Sequence, residues 1–168
     1  AGISKIKATD VENFTAHGLV CKLISTGKCA DGKVSAYVHP TLVKLGEPES
    51  AVPANYNLIT LVGSASGRMS FYGQGAGRYP TAYNVVQDCA DLLAGRGFYS
   101  PYGPKTAAAN TDALCYYVSG VRDAWLEENT QETWGDAIVT EPVSVNEIHN
   151  WLKEHPDAFI AALPAETV

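Results

Sequence analysis

The chain has no apolar run approaching the roughly 20 residues that a membrane-spanning helix requires. Its first residues do not read as a basic stretch followed by an apolar one, so neither a bilayer anchor nor a secretory signal is expected. Basic clusters are also lacking: 12 Lys and Arg stand against 18 Asp and Glu, for a net charge of −6. That balance argues against nucleic acid as a main partner. The four cysteines, Cys21, Cys29, Cys89 and Cys115, form no Cys-x-x-Cys pair, and no His/Cys group stands at zinc-ligand spacing. They are expected to be reduced thiols packed in a core, with no metal site, in a cytoplasmic protein. No G-x-S-x-G, H-E-x-x-H or phosphate-loop motif occurs, and no fixed-period repeat. What the chain does have is 46% hydrophobic residues in 168. That is enough to build a core and excludes general disorder.

Hydropathy spacing divides the chain into elements. Thr9 and Glu12 stand as a capping box, and Val11, Phe14, Val20, Leu23 and Ile24 then predict one amphipathic helix over about 9–27. Alternation at Val34, Ala36 and Val38 predicts a strand, ended at His39-Pro40 because proline cannot donate to a ladder. A turn-rich loop over 44–56 precedes two predicted strands, 57–63 and 68–73, paired as a hairpin. Val85, Val86, Cys89, Leu92 and Leu93 predict a helix over 80–94, stopped by Gly95. The expected domain plan is residues 1–95 as one unit, 96–112 as a Gly/Pro/Ala-rich linker, and 113–168 as a small α+β appendage. In that appendage, strands are predicted at 114–118, 137–140 and 159–163, with residues 124–133 ambiguous. A second capping box, Ser144 to Glu147, leads a helix that His155-Pro156 ends. The fold class is therefore α+β: a mixed or antiparallel sheet with two long helices sharing one face, plus the appendage.

The densest chemical signal is Gly73-Gln-Gly-Ala-Gly77, three glycines in five residues. Backbone without Cβ atoms lets amides approach a ligand, and a following helix N-terminus favours an anion or polar group. The pattern is not a dinucleotide fingerprint, which would require glycine where Arg78 stands and would follow the first strand of a βαβ unit. A tight strand-to-helix turn accounts for the glycines equally well. The four histidines have simpler readings. His39 reads as a structural residue at a strand end, His17 as mid-helix, His149 as a helix surface and His155 as a helix end. Asp88 and Asp91 read as solvated helix residues, and the scattered tyrosines, among them Tyr72, Tyr116 and Tyr117, as core.

The order of segments is itself informative. GLVCKLI leads to YVHPTLV, then to NLITLVG and RMSFYGQGAGRYPTAYNVVQD. This run, from Gly2 to about Leu93, resembles the closing half of the catalytic region of homoserine dehydrogenases, most specifically over Phe71 to Asp88. The resemblance implies an enzyme that interconverts aspartate semialdehyde and homoserine with NAD or NADP, in threonine and methionine biosynthesis. It implies a small-molecule substrate and a homodimer. It also implies that Gly75, flanked by Gly73, Ala76 and Gly77, touches the nicotinamide cofactor. The family's nucleotide-binding half and its catalytic Lys and Asp would precede Gly2, so no catalytic residue is assigned and the chain alone is expected to be inactive. Many members end in a βαββαβ regulatory unit of the ACT type, of which residues 113–168 show about half the pattern. The alternative is a non-catalytic ligand-binding or regulatory module on the same scaffold.

Overall fold

A computed structural model describes residues 2–97 and 106–164. The chain divides into two compact units, residues 1–50 with 105–168, and residues 51–104.

In the first unit, α1 (Ala8–Ala16) opens where Asp10, not Glu12, closes the first turn: the Lys7 amide donates to Asp10 Oδ2 at 2.7 Å. The helix stops nine residues later, well short of 27. His17 caps it and Gly18 turns the chain at φ +68, a left-handed conformation natural to glycine. The expected long helix is therefore two elements. From Leu19 the chain is extended as β1 (Leu19–Ala30), which pairs antiparallel along its whole length with β2 (Lys33–Lys44) across the turn at Asp31-Gly32. His39-Pro40 does not end β2, which runs four residues further to Lys44. Leu23, assigned to a buried helix face by its spacing, is exposed on β1.

The C-terminal half joins the same sheet. After β5 (Thr106–Ala107), parallel to β2, and β6 (Ala113–Leu114) come β7 (Tyr116–Ser119), α3 (Ala124–Glu128), β8 (Thr130–Trp134), β9 (Ala137–Thr140), β10 (Val143–Ser144), α4 (Val145–Glu154) and β11 (Phe159–Ala162). The long sheet has the order β1-β2-β11-β7-β9-β8. Its last four strands, with α3 and α4, form a complete βαββαβ unit in which the final strand lies beside the first and the third beside the second. Residues 113–164 are thus neither half a pattern nor an appendage: Ala162 of β11 pairs parallel with Thr41 of β2. The presumed linker 96–112 is tied down in its described part, where the Ala108 amide donates to Val34 O and Tyr37 Oη to Asp112; residues 98–105 lie outside the described residues. The sheet is mixed and the fold α+β, as the sequence implied.

Strand alternation sorts this unit's core onto two faces. Tyr116, Val118, Ile138 and Ile160 meet Leu126, Ile148 and Trp151 from α3 and α4. Tyr117, Val139, Phe159 and Ala161 meet Phe14 of α1 with Leu19 and Leu42. Because β7, β9 and β11 are buried on both faces, they read as continuous apolar runs.

The second unit holds β3 (Tyr56–Gly63), β4 (Gly67–Gln74) and α2 (Arg78–Leu93). The hairpin is as expected, in register from Tyr56↔Gln74 to Gly63↔Gly67. Among the described residues it does not share a sheet with β2: β3 and β4 pair with each other as a two-stranded sheet. None of the described residues of this unit is buried.

Candidate functional site

Around the glycine loop, each of the three glycines has a different reason to be there. Gly73 is the penultimate residue of β4, with open space where a Cβ would project. Gly75 does not have a left-handed φ; a side chain on it would run into the amide of Asn57. Gly77 is the left-handed one, at φ +123, and forms the N-cap of α2. The loop is stapled to the segment before β3. The Gly75 amide donates to Asn55 O at 2.9 Å, and Asn55 Nδ2 donates to Ala76 O at 2.7 Å. Gln74 Nε2 donates to Tyr56 Oη, and Tyr56 stacks on Tyr72 with centroids 5.0 Å apart. Tyr72 is thus an exposed stacking residue, not core.

The first turn of α2 has no side-chain cap and no acidic residue, and Arg78 opens it, its guanidinium 5.3 Å from the Tyr79 ring centroid. Free amides at the positive end of a helix, next to glycines that leave backbone uncovered, suit an anionic or strongly polar group. Asn55 and Asn57 are the parts that motif reading missed. The available signal was the Ala-Asn-Tyr-Asn run before an apolar strand, which reads only as a turn.

The first unit holds two polar clusters of its own. A cleft of about 470 Å³ is lined by Asp10, Asn13, Tyr117, Arg122 and Asp136, among others. In it Tyr117 Oη donates to Asp10 Oδ1 at 2.7 Å and accepts from Asn13 Nδ2 at 3.0 Å. Burial, reinforced by Asp10, raises the Tyr117 phenol. On the opposite face His39 is 2% exposed, with its ring centroid 5.7 Å from His149 and 5.6 Å from Tyr116. Burial and then His149 push its pKa down to about 4, so it is a neutral imidazole. His149 is therefore not a helix-surface residue but half-buried against β2, and its own pKa is lowered chiefly by burial.

His17 lies at the C-terminus of α1, stacked 3.8 Å from Trp134, and His155 caps α4 as expected, stacked on Trp151. All four cysteines are free, but Cys29 and Cys89 are exposed and only Cys21 and Cys115 are half-buried, so they are not a shared core set. Cys29 sits in the outer end of β1 and Cys89 on α2. Burial pushes the Cys21 thiol up to about 11. Among the described residues no group of three or more His, Cys, Asp or Glu could hold a metal ion, and no helix is long and apolar enough to cross a membrane.

The homoserine dehydrogenase profile matches residues 1–90, which contain the glycine loop and nearly all of α2. The chain belongs to the homoserine dehydrogenase family. The homoserine dehydrogenase of Corynebacterium glutamicum is 40% identical over 92 residues, covering 52% of this chain and 21% of that one. The Bacillus subtilis homoserine dehydrogenase is 33% identical over 118 residues, 66% of this chain and 27% of the relative. This chain thus spans about a quarter or less of these homoserine dehydrogenases. Among solved structures, a homoserine dehydrogenase from Thiobacillus denitrificans has a TM-score of 0.68 at 20% identity, covering 97% of this chain and 46% of that one. That of S. aureus at pH 6.5 has a TM-score of 0.63 at 23% identity, covering 99% and 46%. At these identities the structural likeness establishes the fold, and it extends over the C-terminal βαββαβ unit that the sequence profile does not reach.

Proposed function

We propose that this chain forms part of an NAD(P)-dependent homoserine dehydrogenase, acting on aspartate semialdehyde and homoserine as small-molecule substrates in the cytoplasm. Family membership over the segment carrying the glycine loop is the observation that carries the reading. The nicotinamide cofactor would supply or accept the hydride. The loop fits one wall of its site. Gly73, Gly75, Ala76 and Gly77 present backbone with at most one methyl, and Asn55 ties that backbone to the segment before β3. The uncapped first turn of α2 adds a positive dipole end. These groups position and stabilise; proton transfer belongs to residues outside this chain.

The test is an assay of homoserine oxidation with either cofactor, using the chain alone and the chain joined to the remaining part of a family enzyme. Activity only in the joined form, with a raised KM for the cofactor in Gly77→Val, is the expected result. Turnover by the chain alone would overturn the assignment of catalysis elsewhere.

A second reading, regulatory rather than catalytic, concerns residues 113–164. Their complete βαββαβ order matches the ACT type, which supports ligand control through this unit. Calorimetry with threonine and other small amino acids tests it. Homodimer formation is part of the same family reading and is checked by light scattering.

A further inference from the structure

Five buried side-chain atoms of the described residues have no hydrogen-bond partner: His39 Nδ1, Asn110 Oδ1, Tyr116 Oη, Ser119 Oγ and His149 Nε2. Ser119 lines the cleft on the α1 side of the sheet. The other four belong to the opposite side, where β2 and β7 meet α4. His39 is 2% exposed and Tyr116 0%. The His39 ring stands edge-on to Tyr116 at 5.6 Å and to His149 at 5.7 Å between centroids. Asn110 joins them from the segment before β6. Its Nδ2 donates to Ala36 O on β2 at 3.1 Å. Its own carbonyl accepts at 3.1 Å from the Asn146 amide, one turn ahead of His149 on α4.

Buried polar atoms are rarely left unpaired, because each has given up water for nothing. These four do not satisfy one another, and their chemistry selects what can. Asn110 Oδ1 only accepts, Tyr116 Oη donates once and accepts, and each neutral imidazole nitrogen does one or the other according to its tautomer. The occupant must therefore both donate and accept. An anion would face the Asn110 oxygen and find no cation in the set, since burial keeps both imidazoles neutral. A metal ion would find no carboxylate in the set. Asp112, whose charge reaches Tyr116, is engaged by Lys28 at 2.7 Å and by Tyr37 Oη at 3.1 Å. Water donates twice and accepts twice, and a buried water typically makes about three bonds to groups otherwise unpaired.

The place also matters to the fold. Between the N-terminal hairpin and the βαββαβ unit, the strand ladder is a single pair, Ala162 with Thr41. A water bonded to His39 on one side and to Tyr116 and His149 on the other adds a bridge across that seam.

We propose that the space bounded by His39, Asn110, Tyr116 and His149 is a binding site for ordered internal water, which ties β2 to β7 and α4.

The test combines a crystal structure of the full chain with nuclear magnetic resonance of its internal water. A solvent peak within about 3.2 Å of at least three of the four atoms is expected. Cross-relaxation from a long-lived water to the ring protons of His39 and Tyr116 should accompany it. Tyr116→Phe and His149→Phe each leave three partners and should keep the water signal at His39. The double variant leaves two and should lose it. The near-ultraviolet signal of the stacked Trp125 and Trp151 checks that each variant is folded. If the double variant does not fold, the unsubstituted chain decides alone. The proposal falls if the four atoms bond one another or turn out to bulk solvent in the crystal. It falls equally if anomalous scattering shows a metal ion in the space, or if the water signal survives in the folded double variant.

Discussion

The side-chain amide of Asn57 occupies the space that any substituent on Gly75 would need. A Cβ at Gly75 would therefore have to displace the exposed Asn57 side chain on β3, independently of any ligand. This makes the two possible roles of the loop separable. In the complete enzyme, Gly75→Ala should loosen the β3–β4 hairpin, and adding Asn57→Gly should restore amide protection there. If the double variant recovers the hairpin and keeps a raised KM for the nicotinamide cofactor, Gly75 acts on the cofactor. Recovery of both would confine it to the turn.

Asp10 is 1% exposed and accepts from the Lys7 amide and Tyr117 Oη, both at 2.7 Å. Asp10→Ala would strand the helix-opening amide and the phenol together. A loss of about 2–4 kcal/mol is expected, with Tyr117→Phe costing about half as much. Chemical denaturation followed by tryptophan fluorescence measures both. Near-neutral behaviour of Asp10→Ala would show that water replaces the carboxylate freely.

Acidification should destabilise the first unit through His39. Its pKa in the folded chain is about 4 against an ordinary value of 6.5, so the unfolded chain takes up the proton first. Stability is then full above pH 6.5 and falls as pH drops toward 4, by up to about 3 kcal/mol. His149, also lowered, steepens the fall. His39→Phe should flatten the melting temperature against pH over this window. An unchanged slope would place the titration elsewhere.

Asp123 serves three partners at once. It caps α3 through the Leu126 amide at 2.8 Å, accepts from Trp151 Nε1 at 2.8 Å, and lies 3.1 Å from His155 Nε2. Asp123→Ala should cost about 1–3 kcal/mol and weaken the near-ultraviolet signal of the stacked Trp125 and Trp151. Asp123→Asn, with one acceptor oxygen where the carboxylate has two, should recover the α3 cap but not the Trp151 contact.

How much of this was legible depended on how local each cause was. The hairpin, α2, the Ser144 capping box and β11 are set by adjacent residues, and the sequence pattern marks them within a residue or two. The helix over 9–27 misled because Val20, Leu23 and Ile24 fit a helical spacing by coincidence. Gly18 was the stop, and the alternation of Leu19, Cys21 and Leu23 was the strand. The βαββαβ order was hidden by α3, only five residues long and too short to show a period. Of the site, the glycines are visible as a motif, whereas Asn55 and Asn57 act across a strand pairing that no local pattern announces.

The position of β11 has a consequence for synthesis. Residues 159–162 come last among the strands, yet they lie between β2 and β7 and join the N-terminal hairpin to the rest of the sheet. While the ribosome still holds them in its tunnel, β2, beyond its short pairing with β5, and β7 each lack the strand that closes this edge. The first unit is therefore completed only after translation has passed Ala162. A nascent chain stalled shortly before that point would need a chaperone to keep those edges from pairing with each other or with another chain.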